Sequence, residues 1–212
     1  MRVLITAGGT REPIDEARVI ANTSTGRLGA RLADAAAAAG HEVLLLHGVQ
    51  AARPASARVR CEAFDSGADL ARLLERHVPQ SDAVLHAAAV SDYVPVRASG
   101  KLASDAPELL LRLVRAPKLV DRLRALRPSA LLAGFKLEAG VDEAGLLAAA
   151  QALRRRARLD LVVANLAGRT GEEDHEALLV GEGGVLQRCR GKEAIAQALV
   201  AWLASARAAG PA

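Results

Sequence analysis

The sequence predicts an α/β protein built on a doubly wound, mostly parallel sheet. Two kinds of segment predict it. Short apolar, branched runs such as Val3-Leu4-Ile5-Thr6 and Ala83-Val84-Leu85 have the unbroken hydrophobicity of strands buried on both faces. Alanine- and leucine-rich stretches with helical spacing alternate with them, the pattern of βαβ units. With 212 residues, 51% of them hydrophobic, the chain can also bury a substantial core.

In chain order, residues 2–6 form the first strand, which breaks at Gly8 and Gly9. A polar cluster, Asn22-Thr23-Ser24-Thr25-Gly26, then opens a helix over about residues 24–39, with Ser24 or Thr25 as its cap and Gly40 as its stop. Residues 42–47 are the second strand, followed by a looser connection with a strand-like piece at 57–64. A helix at 68–77 leads to a strand at 82–88, opened by Asp82 and carrying His86 as a hydrogen-bonded core histidine. Residues 91–115 break the rhythm, and 108–115 within them fits helix or strand equally. Residues 117–126 are helical, 130–135 a strand, 142–158 a helix and 159–164 a strand. Segments 177–180 and 185–188 flank Glu182-Gly183-Gly184, a hairpin signal. A helix at 193–208 closes the chain, with Trp202 as a core or interface anchor. The expectation is a Rossmann-like doubly wound sheet in one domain spanning residues 1–212, with a flap or dimerisation insertion at 91–115 and a C-terminal hairpin.

Composition excludes several classes of function. No apolar run approaches the roughly 20 residues of a membrane helix, and no secretory signal is expected. Cys61 and Cys189 are too few and too distant in sequence to suggest a metal site or a disulfide framework, so a reducing cytoplasm is expected. The net charge is +4, but arginines are interspersed with carboxylates and aromatic residues are only 2%, which suits a small anion better than nucleic acid.

Each sheet strand hands off to a polar cluster at its carboxyl end: Gly8-Gly9-Thr10, Ala88-Ala89-Val90-Ser91-Asp92, Phe135-Lys136-Leu137-Glu138 and Asn165. Open α/β sheets bind their ligands at that edge. The specific signal is the whole opening string, G-G-T-x-E-x-I-D-x-x-R-x-I-x-N-x-S-x-G-x-x-G over residues 8–29. A-A-A-V-S-D-Y-x-P, G-F-K-L-E and D-L-V-V-A-N follow it in order. With these motifs the chain resembles the phosphopantothenate–cysteine ligase family from Arg2 to about Asn165, and most of all its short forms without the flavin-containing decarboxylase domain.

The resemblance implies an amide ligation in coenzyme A synthesis. The carboxylate of 4′-phosphopantothenate attacks the α-phosphorus of CTP or ATP, and cysteine displaces the nucleotide from the acyl-nucleotidylate. It implies Mg²⁺ with the nucleotide, no FMN, and a homodimer that does not bind membrane or nucleic acid. By position, Gly8, Ser24, Gly26 and Gly29 would line the phosphate end of the nucleotide, and Pro117, Lys118, Leu119 and Val120 would border its base. Phe135 would pack on the base with Asn165 nearby. Asn22 would hold the acyl-nucleotidylate through a neutral amide, and Ala88, Ala89 and Asp92 would face phosphopantothenate. Lys101 matches a flap lysine of the family, in a Lys101-Leu102-Ala103-Ser104 segment that lacks the family's later lysine. With four lysines among 28 basic residues, a lysine in that loop stands out. Arg155 or Arg156 matches a nucleotide-facing position.

Two other readings compete. A nicotinamide-dependent short-chain reductase would share the βαβ opening. However, G-G-T-R-E-P-I-D lacks the G-x-x-x-G-x-G form, no acidic residue ends the second strand, and Arg97 stands where a Tyr-x-x-x-Lys dyad from Tyr93 needs lysine. A catalytically silent homologue would keep the fold and owe its loss of turnover to the thinned flap motif.

Overall fold

The computed structural model describes residues 1–103, 105, 107–168 and 175–209. The chain runs through β1 (Arg2–Ala7), a small hairpin of β2 (Arg11–Pro13) and β3 (Val19–Ala21), α1 (Arg27–Ala38), β4 (Glu42–Gly48), β5 (Arg60–Phe64) and α2 (Gly67–His77). It continues as β6 (Ala83–His86), a ribbon of β7 (Tyr93–Pro95) and β8 (Leu113–Arg115), a 3₁₀ turn at Leu119–Arg122, α3 (Leu123–Leu126) and β9 (Leu131–Glu138). The remaining elements are α4 (Glu143–Ala157), β10 (Leu161–Leu166), β11 (Glu176–Gly181), β12 (Gly184–Arg190) and α5 (Lys192–Ala209).

The main sheet has the order β12-β11-β10-β9-β6-β1-β4-β5, and its β10-to-β5 portion is wholly parallel. The C-terminal hairpin β11–β12 adds two antiparallel strands at one edge. Strand alternation divides the core: Val3, Ile5, Leu45 and Leu85 pack under α1 and α5, while Leu4, Leu46, Val84 and Leu132 pack under α2 and α4. α2 starts on a reciprocal capping box between Ser66 and Asp69, and α4 on Asp142, whose side chain accepts from the Gly145 N–H. From β1 the chain crosses to β4, and after α2 it returns to β6 on the other side of β1. The strand order therefore reverses between β1 and β6, and their carboxyl ends open the crevice in which such sheets bind ligands.

Several expectations need correction. α1 begins at Arg27, and neither Ser24 nor Thr25 caps it. Its N-cap is Gly26 at φ +72, a left-handed conformation that favours glycine, and a Cβ there would also lie 2.6 Å from the Ala51 Cβ. The β2–β3 hairpin escaped sequence reading because three-residue strands show no periodicity. The ambiguous 108–115 segment resolves as an exposed irregular run ending in β8, which pairs antiparallel with β7. Residues 117–126 are half 3₁₀ rather than one α-helix. β9 runs on to Glu138, so Phe135 to Glu138 lie within the strand, still paired with β10.

Candidate active site

At the reversal point the ends of β1 and β6 tie themselves together beyond the sheet. The Thr10 N–H donates to the Ala89 carbonyl (3.0 Å), the Ala89 N–H to the Gly8 carbonyl (2.8 Å) and the Ser91 N–H to Thr10 Oγ1 (3.1 Å). Asn22 completes the knot: its Nδ2 donates to the Ala89 carbonyl and to Ser91 Oγ, both at 3.0 Å, and lies 3.3 Å from Thr10 Oγ1. The Ala89 carbonyl can only accept, so the amide's orientation is determined and both its hydrogens are engaged by the protein. Its Oδ1 remains for a ligand.

Two adjoining clefts meet at this knot and share the wall Ala88, Ala89, Phe135 and Leu137. The first, about 410 Å³, is lined by Gly8, Asn22, Ser24, Gly26, Gly29 and Asn165, and also by Arg27, His175 and Lys192. The first internal bond of α1 is Ala30 N–H to Gly26 carbonyl, so the N–H groups of Arg27, Leu28 and Gly29 precede the helix's own ladder. No side chain caps them, and no carboxylate appears among the described lining residues. Helix dipole, open N–H groups, Arg27 and Lys192 make this cleft suited to an anion.

The second cleft, about 460 Å³, is lined by Asp92, Pro117, Lys118, Leu119, Val120 and Arg156, with Lys136 and Glu138. Its charges are already matched: Lys118 contacts Asp92, Lys136 Nζ lies 2.8 Å from Glu138 Oε1, and Arg156 Nε donates to Asp121 Oδ1 at 3.0 Å. His86 borders this cleft with its Nδ1 2.9 Å from Thr6 Oγ1, and burial pushes its pKa down to about 4. The expectation of a hydrogen-bonded core histidine holds, and the ring is neutral at pH 7. Among the described residues no cluster of three or more His, Cys, Asp or Glu is arranged to hold a metal ion.

The structure thus gathers the sequence-selected residues around the two clefts except Lys101 and, of the pair Arg155 and Arg156, Arg155. The Lys101 side chain is exposed on the segment after β7 and lines neither cleft, and Ser104 of its motif lies outside the described residues. The residues expected to contact one nucleotide are divided between the clefts, with Gly8, Ser24, Gly26 and Gly29 in one and Pro117 to Val120 in the other. Sequence reading placed Lys136 in a polar cluster without giving it a role, and missed Lys192. The scarcity of lysine that drew attention to Lys101 applies equally to them. Lys192, only 6% exposed, is the most buried lysine among the described residues.

Fold and cleft together define a doubly wound α/β protein with an anion-receptive site at the reversal of its strand order. Residues 1–206 match the DNA/pantothenate metabolism flavoprotein C-terminal domain, and the chain belongs to that family. It is 39% identical over 183 residues to the coenzyme A biosynthesis bifunctional protein CoaBC of Thermococcus kodakarensis, covering 85% of this chain and 45% of that protein. The chain therefore spans about half the length of such relatives. Among solved structures it is similar to the DNA/pantothenate metabolism flavoprotein from Streptococcus pneumoniae, at 28% identity and a TM-score of 0.91 over 97% of this chain and 99% of the other. The C-terminal domain of a CoaBC protein superposes with a TM-score of 0.79 at 26% identity, covering 97% of this chain and 94% of the other.

Proposed function

We propose that this chain is the ligase that joins 4′-phosphopantothenate to cysteine through an acyl-nucleotidylate, releasing pyrophosphate and a nucleoside monophosphate. The observation that carries the proposal is the pair of clefts sharing the Ala88–Ala89 wall beneath Asn22, in a chain of this family. The nucleotide's base and ribose lie against Pro117 to Val120 and Phe135, and its phosphates reach across the shared wall toward the start of α1. Phosphopantothenate approaches along Asn22, Ala88, Ala89 and Asp92, bringing its carboxylate to the α-phosphorus. No strong base is required, because the carboxylate is already a nucleophile and the nucleotide is an activated leaving group; alignment and charge neutralisation supply the rate. Asn22 Oδ1, the open end of its amide, accepts from an N–H of the pantothenoyl group or of the incoming cysteine amine.

The nucleotide enters as its Mg²⁺ complex. The charge-matched carboxylates Asp92 and Glu138 suit an ion carried mainly by phosphates rather than a resident one. CTP is the expected donor, with ATP as the alternative, and the cytoplasm is the expected compartment. The apolar residues Leu109, Leu110, Leu111 and Val114 are exposed in the single chain, which supports a homodimer formed through this insertion. The test is pyrophosphate release with phosphopantothenate, cysteine and either CTP or ATP. Release that does not depend on phosphopantothenate would refute the reading.

A further inference from the structure

The opening motif contains an aspartate, Asp15, that neither cleft uses. It sits in the turn between β2 and β3, its side chain wholly shielded from solvent. Its two oxygens serve different parts of the molecule. Oδ1 accepts the N–H groups of Ala17 and Arg18, both at 2.7 Å, closing the hairpin turn. Oδ2 accepts the N–H of Leu102 at 3.0 Å and lies 3.6 Å from Arg18 Nε. Arg18 Nη2 in turn donates to the Leu102 carbonyl at 2.7 Å, so Leu102 is gripped at both its backbone groups. The Ala98 N–H adds a bond to the Ile14 carbonyl at 2.9 Å. The segment gripped in this way carries Lys101. The hairpin doing the gripping ends at Asn22, whose own N–H donates to the Thr10 carbonyl at 3.1 Å.

We propose that Asp15 is a positioning residue for Lys101: its carboxylate holds the Lys101 segment on the same hairpin that presents Asn22 to the clefts. A turn-closing role alone does not require aspartate. Asparagine closes such turns equally well, since one oxygen suffices. Only a carboxylate can accept from the turn on one side and from Leu102 and Arg18 on the other. The N–H of Ala17, followed by those of Leu102 and Arg18, keeps the carboxyl below its usual range against the effect of burial, so it is ionised at neutral pH. This inference rests on the proposed ligase function and on Lys101, the flap lysine of the family resemblance, acting in it as the reactive cation, and its test separates the two.

Asp15→Asn is the informative variant. The two short turn bonds hold the amide oxygen in place, which turns the amide nitrogen toward Leu102 N–H and the Arg18 guanidinium, where donor meets donor. The full chain is compared as wild type, Asp15→Asn, Lys101→Gln and the double variant, by pyrophosphate release and amide hydrogen exchange. The Leu102 amide is expected to exchange at least about tenfold faster in Asp15→Asn, while the core amide of Leu85 is unchanged and confirms the fold. The kcat is expected to fall about tenfold in the wild-type background, with nucleotide KM unchanged, and less than about twofold in the Lys101→Gln background. Unchanged exchange at Leu102, or an equal loss of kcat in both backgrounds, overturns the inference. Full turnover by Lys101→Gln refutes the role of Lys101 instead, and the exchange measurement still decides whether Asp15 holds the segment.

Discussion

Gly29→Ala tests whether the start of α1 is pressed against β1 tightly enough to determine the geometry of the first cleft. An added Cβ would lie 2.3 Å from the Ala7 Cβ and 3.3 Å from the Ala7 Cα. Non-bonded carbons need about 3.5 Å, so the helix start must retreat by roughly 1 Å. Overpacking of this kind costs about 1–3 kcal/mol, and replacing a helical glycine with alanine returns up to about 1 kcal/mol. The net loss of stability should be modest, about 1–2 kcal/mol by denaturant titration. Activity should suffer more, because the N–H groups of Arg27, Leu28 and Gly29 move with the backbone and a displacement of about 1 Å can cost a hundredfold in turnover. Adding Ala7→Gly removes the opposing methyl and should restore most of the pyrophosphate-release rate. A Gly29→Ala variant that gains stability and keeps full turnover would show that α1 has room to spare, and would refute the claim that close packing positions its N-terminus.

Asn22→Ala removes the donors to Ala89 and Ser91 and the ligand-facing oxygen together; it should cost about 1–2 kcal/mol of stability and let acyl-nucleotidylate accumulate in a chemical quench. Unchanged turnover would remove Asn22 from the site. His86 is held neutral with its pKa lowered from 6.5 to about 4, so the unfolded chain binds the extra proton between these values and stability rises with pH across that window. The contribution is complete above about pH 6.5, is lost on acidification toward pH 4, and amounts to about 3 kcal/mol; His86→Gln should flatten that part of the urea-midpoint profile. An identical slope in the variant would show that other groups account for it. Leu110, 86% exposed in the single chain, is the most exposed of the large apolar residues, and Leu110→Glu should yield monomers with reduced turnover by sedimentation and assay. A dimer of wild-type affinity would show that the partner surface lies elsewhere.

Sequence periodicity identified nearly every long element, because strands buried on both faces and alanine-rich helices have distinct patterns over five or more residues. The missed strands share a cause. β2, β3, β7 and β8 are three residues each, and their pairing depends on contacts that periodicity does not encode. The start of α1 was misjudged because Ser24 and Thr25 are good capping residues by type, whereas close approach to Ala51 selected Gly26. Local preference of about 1 kcal/mol is easily outweighed by a steric demand of the tertiary fold.

The site was visible in the sequence as a set of motifs but not as an arrangement. Gly8, Ala88, Phe135 and Asn165 converge because each lies in the carboxyl-terminal half of a parallel strand or just beyond it, and the β2–β3 hairpin brings Asn22 to the same edge. The division into two clefts depends on side-chain packing across that edge and had no sequence signal. Its consequence is electrostatic. The cleft at α1 combines Arg27, Lys192 and open helix N–H groups without a described carboxylate, whereas in the other cleft Lys118 and Lys136 sit beside Asp92 and Glu138. The proposed reading puts phosphate at the open helix N–H groups of the first and a neutral base and ribose in the second, where they lose least on leaving water. In the proposed reading a nucleotide lies across both, with its α-phosphorus at the Ala88–Ala89 wall.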